Sequence, residues 1–79
     1  MRNWIELFNR GTAALHAGST AEAIRWLTEA SGSEDMAIAS AAHRNIGIAH
    51  RTTGCHTAAI DAFDLALALN PNDVDAFYN

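Results

Sequence analysis

Four histidines are the side chains of this sequence best suited to binding a metal ion. His43 and His50 are seven residues apart, which on a helix separates them by roughly 10 Å along the axis, too far for both to bind one ion. His50 and His56 flank Gly54 and are able to approach each other across a turn. We interpret all of them as packing histidines, and the sequence therefore predicts no metal site and no cofactor.

Cys55 is the only cysteine, so the chain forms no internal disulfide and no thiolate metal cluster. A nucleophilic cysteine needs a histidine base that is itself held by a third group. Cys55 is followed directly by His56, but adjacent residues seldom form such a pair, and no convincing carboxylate accompanies them. We therefore expect this protein not to be an enzyme.

The charge of the chain argues against nucleic acid as a partner. Its formal net charge is −4, whereas phosphate binding normally needs a basic face. No apolar run approaches the ~20 residues that span a bilayer, and the N-terminus lacks the apolar stretch of a signal peptide. The sequence predicts a cytoplasmic protein that binds neither nucleic acid nor a membrane.

The composition predicts an all-α fold. The chain has 79 residues, 49% of them hydrophobic, which is enough for one small domain. Alanine, the strongest helix former, is abundant, whereas strand-favouring residues are sparse and Val74 is the only valine.

The first two helices are delimited by capping residues. Asn3 and Glu6 have the spacing of a capping box, and Gly18 suits the left-handed conformation that ends a helix. Ser19 and Glu22 repeat the capping-box spacing for a second helix.

Later helices are predicted from similar signals. Ser33 is the expected cap of a third helix that reaches Thr53, and a fourth begins at about Cys55 or His56. Asn70-Pro71 predicts the start of a fifth. The side chains expected to face inward are Trp4, Phe8, Gly11, Leu15, Ala23, Ile24, Leu27, Ala30, Met36, Ile46, Ala49, Ile60, Phe63, Ala66 and Leu67.

The sequence matches itself when it is shifted by 36 residues. The identities in this register are Asn9 with Asn45, Gly11 with Gly47, Ala13 with Ala49, Gly18 with Gly54, Ala23 with Ala59, Ile24 with Ile60, and Ala30 with Ala66. A mid-helix glycine costs about 1 kcal/mol relative to alanine. Gly11 and Gly47 in the same phase therefore predict that a partner helix crosses there, brought close by Ala23 and Ala59. The alternative is a helical-hairpin bundle whose alanines match by accident.

Nearly the whole sequence resembles the tetratricopeptide repeat family, and the second repeat carries most of the likeness. The matching residues are Asn45-Ile46-Gly47-Ile48-Ala49, Gly54, Ala59-Ile60, Phe63, Ala66-Leu67 and Leu69-Asn70-Pro71. His43 and His50 depart from the aromatic residues that the family favours, and the first repeat is two residues longer than usual. Its 36-residue period also suits the Sel1-like repeats, which we rank second because their turns are usually longer.

The resemblance implies a right-handed stack of antiparallel helix pairs, with about two and a half repeats in a single domain of residues 1–79. Repeat 1 is expected at about residues 4–39, repeat 2 at about 40–73, and the start of a third at 74–79. In this family the first helix of each pair lines a groove that binds a peptide or a partner surface. The implied function is a non-catalytic protein–protein interaction module or scaffold.

Carried over by position, the resemblance gives a set of candidate binding residues: Phe8, Asn9, Thr12, Leu15, Arg44, Asn45, Ile48, Arg51 and Tyr78. Arg44 and Arg51 offer planar guanidinium groups that can fork onto carboxylates, while the apolar members hold side chains. Equally, the two arginines are ordinary solvated residues that pair with nearby acids. Asn9 and Asn45 either clamp a ligand backbone or hydrogen-bond between adjacent helices, and we favour the second interpretation slightly.

The alternative function is self-association. Repeat arrays usually need terminal caps, and two and a half repeats leave both ends of the stack uncovered. A final helix that carries Phe77 and Tyr78 is too short to be stable alone. It is expected to dock on the second repeat or on another copy, which makes a homo-oligomer through the terminal helices the second hypothesis.

Overall fold

The structure, a computed structural model, describes residues 3–71. It contains α1 (Trp4–His16), α2 (Thr20–Ala30), α3 (Met36–Thr52) and α4 (His56–Leu69), with no strand among the described residues. Helix α1 packs along α2 and α3 packs along α4, while α3 also contacts both helices of the first pair. The predicted all-α stack of helix pairs is confirmed. The expected fifth helix, with Phe77 and Tyr78, lies outside the described residues.

Glycine forms the tight turn inside each helix pair. Gly18 has φ +82° and Gly54 has φ +80°, a conformation that residues with a Cβ rarely adopt. In both turns the amide of the next residue donates to a carbonyl five residues earlier, at 2.9 Å in the first turn and 2.8 Å in the second. These bonds satisfy carbonyls at the helix end and fold the second helix back along the first.

The first helix begins where the sequence predicts. The Asn3 side-chain oxygen accepts a hydrogen bond from the Glu6 amide at 3.0 Å. The predicted capping box is only half formed, because the Glu6 carboxylate accepts a hydrogen bond from Arg10 at 3.1 Å instead of turning back to the cap. The second predicted box is wrong: Ser19 precedes α2, but its side chain makes no capping hydrogen bond.

The predicted cap of the third helix is also wrong. Helix α3 begins at Met36 and is capped by Asp35, whose carboxylate accepts from the Ala37 amide at 2.9 Å. Ser33 accepts instead from the Asp35 amide at 3.0 Å, so its hydroxyl stabilises the turn before the helix. A carboxylate is the stronger acceptor and also favours the positive end of the helix dipole, which explains the choice of Asp35.

Both mid-helix glycines lie where a partner helix crosses, as predicted. A Cβ added to Gly11 would lie 2.5 Å from Leu27 Cγ, and one added to Gly47 would lie 2.6 Å from Phe63 Cε1. Real Cβ atoms essentially never approach a neighbour this closely. The large side chains of α2 and α4 therefore lie directly on the backbone of α1 and α3.

The alanines contribute in a different way from the one predicted. Leu27 and Phe63, not Ala23 and Ala59, are the side chains closest to the two glycines. Both alanines are buried, at 0% and 3% exposure, and they pack beside those large side chains in the core. Small residues flanking a large one let each helix pair close tightly around it.

Two residues predicted to face inward are exposed. Met36 is 58% exposed and Ile60 is 59% exposed. Met36 is the first residue of its helix, where the chain has not yet reached the core. Ile60 follows Ala59, and the inward stripe of α4 runs through Ala59, Phe63 and Ala66, so Ile60 points to one side of that stripe. Leu65 is also exposed, so α4 carries apolar side chains beyond its packed face.

Candidate functional site

An open cleft runs between α1 and α3, the first helices of the two pairs. Its volume is about 610 Å³, within the range of ligand-binding clefts. The residues that line it are Phe8, Thr12, Leu15, His16, Arg44, Asn45, Ile48 and Thr52. We call this surface the groove. Six of the nine predicted binding residues line it.

Helical spacing brings these side chains to one surface. On α1, Phe8, Thr12 and His16 are spaced four residues apart, and Leu15 lies beside His16. On α3, Arg44, Ile48 and Thr52 have the same spacing, and Asn45 lies beside Arg44. His16 and Thr52 line the groove but were missed. Each lies four residues beyond a predicted member, Thr12 or Ile48, so helical periodicity was the signal that would have found them.

A hydrogen bond between the two helices forms the floor of the groove. The Asn45 side-chain amide donates to the Thr12 hydroxyl at 3.2 Å, and Asn45 is only 7% exposed. This contact agrees with the interpretation in which Asn45 forms a hydrogen bond between adjacent helices. It also fixes α1 against α3, so the width of the groove is set by a buried polar pair.

The other predicted residues lie elsewhere. Asn9, in register with Asn45, is exposed and borders a different hollow on the outer side of α1, with Ile5 and Ala13. Arg51 is exposed and does not line the groove. Tyr78 lies outside the described residues. The structure therefore places neither Asn9 nor Arg51 in the cleft.

The groove combines an apolar surface with basic groups. Phe8, Leu15 and Ile48 provide the apolar surface, and Arg44 and His16 lie among them. In the described part of the chain, no carboxylate is among the lining residues, although the whole chain has a net charge of −4. This surface is complementary to an acidic or polar segment that also carries apolar side chains.

The histidines and the cysteine form no metal-binding cluster in the described part of the chain. No group of three or more histidine, cysteine, aspartate or glutamate side chains is close enough there to hold an ion. Cys55 is exposed, and its sulfur accepts a hydrogen bond from the Thr53 hydroxyl at 3.6 Å.

His43 makes the stability of the fold depend on pH. Burial lowers the pKa of His43 from its ordinary value of 6.5, because a half-buried site disfavours the charged ring. A lowered pKa in the folded state means that the unfolded chain binds the proton more readily. The His43 contribution to stability is therefore fully present above pH 6.5 and is lost as the pH falls through the lowered pKa.

We expect His43→Gln to flatten part of this dependence. The melting temperature of the parent protein should fall more between pH 7.5 and pH 5 than that of the variant, in thermal melts followed by circular dichroism. His56→Gln, a change at an exposed position, is the matched control and should follow the parent. If the melting temperatures of His43→Gln and the parent fall equally between pH 7.5 and pH 5, the expectation is contradicted.

None of the helices between residues 3 and 71 is long and apolar enough to cross a membrane. Residues 40–73 match the family model of the tetratricopeptide repeat. Comparison with curated proteins and with solved structures gave no match. Repeats of this family generally mediate protein–protein interaction and are typically non-catalytic. From the family match and the stacked helix pairs, residues 40–73 form a repeat of the tetratricopeptide repeat family.

Proposed function

We propose that this protein is a non-catalytic interaction module that binds an extended segment of a partner protein in the groove between α1 and α3. The observation that carries the proposal is the lining of the groove: apolar side chains from both helices surround Arg44, and within residues 3–71 no carboxylate lines it. An extended peptide presents alternate side chains and backbone polar groups, which suit a cleft with both kinds of surface.

The apolar part supplies most of the binding free energy. Phe8, Leu15 and Ile48 are all partly exposed in the free protein, so a partner side chain would remove their remaining surface from water. Such burial contributes about 25 cal/mol per Å² of apolar area, before the cost of ordering the peptide. The groove is held open by the Thr12–Asn45 bond, which limits that cost on the side of the protein.

The basic part supplies selectivity. Arg44 carries five N–H donors in a planar fork whose shape matches a carboxylate. A carboxylate of the partner placed beside it forms charge-assisted hydrogen bonds, whereas a lysine or arginine there is repelled. The proposed partner segment is therefore apolar and acidic.

We also propose a location, a role and a domain organisation for the protein. It would act as a cytoplasmic scaffold or adaptor, with one domain over residues 1–79 and repeats at about 4–39, 40–73 and 74–79. Support comes from the two stacked helix pairs and from the family match. Self-association through the terminal helices is the competing proposal, supported by the exposed apolar residues Ile60 and Leu65 on α4.

The test uses peptides selected on the protein from a random displayed library. Ile48→Glu should weaken binding of the selected peptides at least about tenfold, because it places a charge in the apolar part of the groove next to the acidic ligand. Dissociation constants from fluorescence anisotropy measure the effect. Ile60→Glu is the matched control, since it makes the same change on the exposed side of α4.

Equal weakening by both variants would show that the peptide does not distinguish the groove from α4, and the proposal would then be wrong. A second contradictory outcome is a selection dominated by lysine-rich and arginine-rich peptides. If no peptide binds and Ile60→Glu instead dissociates an oligomer, self-association replaces peptide binding in the groove as the proposed function.

A further inference from the structure

The outer face of α1 occupies the same position in repeat 1 that the stacking face of α3 occupies in repeat 2. A shift of 36 residues superimposes Glu6 on Ala42 and Arg10 on Ile46. Ala42 is fully buried and Ile46 is 8% exposed, because α3 packs against the first helix pair. Glu6 and Arg10 are exposed, with side chains that are 56% and 57% accessible.

The same exchange extends to the second helix of each pair. In repeat 2, Ile46 packs with Ala62 in a core cluster that also contains Leu27 of the first pair. Thirty-six residues earlier the equivalent pair is Arg10 and Trp26. The guanidinium carbon of Arg10 lies 5.3 Å from the centre of the Trp26 ring, a cation–π contact.

The charges on this face hold each other in place. Arg10 donates to the Glu6 carboxylate at 3.1 Å, one helical turn away and in the favourable order with the acid first. The ring of Trp26 covers the other side of the guanidinium. Docking another helix pair here would bury both charges and strip them of water, a cost that a surface ion pair does not repay.

Other residues show that this face is a modified stacking surface. Asn9 and Ala13 are identical to Asn45 and Ala49, which in repeat 2 face repeat 1 in the buried interior. On α1 both are exposed and border a shallow hollow. At the exchanged positions this face carries a charged pair, Glu6 and Arg10, with the Trp26 ring against Arg10. Ile5 remains exposed beside them.

We infer that the outer face of α1 is a polar cap, built from Glu6, Arg10 and Trp26, that closes this end of the stack against a further repeat and against a second copy of the chain. Terminal repeats of helical arrays need such a polar outer face to stay in solution. Self-association, where it occurs, must then use another surface. The inference goes beyond the proposed groove and does not depend on it.

Restoring the repeat 2 residues tests the cap. The variant Glu6→Ala/Arg10→Ile gives α1 the stacking residues of α3 without changing net charge. We expect its weight-average mass in sedimentation equilibrium to rise with concentration above that of the parent, toward two or more chains. Adding Trp26→Ala should increase this association, because alanine is the repeat 2 residue at this position and its small side chain lets another helix approach closely. Circular dichroism verifies that the variants remain helical.

The control is Glu22→Ala/Arg51→Ile, which makes the same two changes at exposed positions outside the proposed cap. It should leave the mass equal to that of the parent. The inference is overturned if the Glu6→Ala/Arg10→Ile variant associates no more than this control. It is also overturned if the parent protein associates and Ala13→Glu, a charge added to the same face, dissociates it.

Discussion

Replacing Leu27 with alanine should lower the free energy of unfolding by about 3 kcal/mol. Leu27 is fully buried and lies against Gly11 of α1, with Ile46 and Ala62 of the second pair beside it. Its removal leaves a cavity at the place where all four helices meet. A chain of 79 residues has a total stability of about 4–12 kcal/mol, so the loss is a large part of it.

Urea unfolding followed by circular dichroism measures the effect. Leu65→Ala is the matched control, because Leu65 is 51% exposed and the same atoms are removed from a surface position. The control should change stability by less than about 1 kcal/mol. A Leu27→Ala variant as stable as Leu65→Ala would show that Leu27 does not hold the two pairs together.

Gly47→Leu should destabilise the fold by about 3 kcal/mol, despite the higher helix propensity of leucine. A Cβ at this position would lie 2.6–2.9 Å from three atoms of the Phe63 ring, and Phe63 is only 6% exposed. The ring is packed with Ala59 and Ala66 in the core. Either α3 and α4 separate or Phe63 leaves the core, and both outcomes expose apolar surface to water.

Ala21→Leu on the exposed side of α2 serves as the control for this prediction. It should change stability by no more than about 0.5 kcal/mol, as surface substitutions usually do. Thermal melts of the two variants and the parent give the comparison. If Gly47→Leu has the same melting temperature as Ala21→Leu, the helices do not cross at the glycine and the packing described above is wrong.

Much of the helical framework was predictable because local chemistry determines it. Gly18 and Gly54 adopt the left-handed conformation that ends a helix, and Asn3 caps α1 as its type suggests. Ser19 has a capping residue type, yet its side chain makes no such bond, since type alone does not fix a rotamer. The position of a helix end depends on which of several nearby polar groups caps it, and here Asp35 caps α3 while Ser33 does not.

The candidate site was predictable only in part, because burial depends on neighbours that local sequence does not show. Asn9 and Asn45 have identical types and matching positions in the repeat, but only Asn45 faces an adjacent pair. Ile60 fits an inward helical pattern, yet Ala59 and Phe63 already fill that face of α4. Repetition in the sequence predicts equivalent positions, and the ends of a stack break the equivalence.

The packing and the proposed function are connected through Gly11 and Gly47. Because Leu27 and Phe63 lie directly on these glycines, α2 and α4 occupy the rear of each pair and leave the opposite side of α1 and α3 uncovered. The Thr12–Asn45 bond then sets the two uncovered surfaces side by side. The close approach of helices within each pair thus creates the groove between pairs.

The most direct test of the groove is an NMR titration of the ¹⁵N-labelled protein with a peptide selected on it. We predict that the largest chemical-shift changes map to the amides of Thr12, Asn45 and Ile48 and their neighbours in α1 and α3. Resonances of exposed residues on α4, such as Ile60 and Leu65, should stay in place. Shift changes concentrated on α4, with the groove amides unmoved, would contradict the claim that this protein binds its partner between α1 and α3.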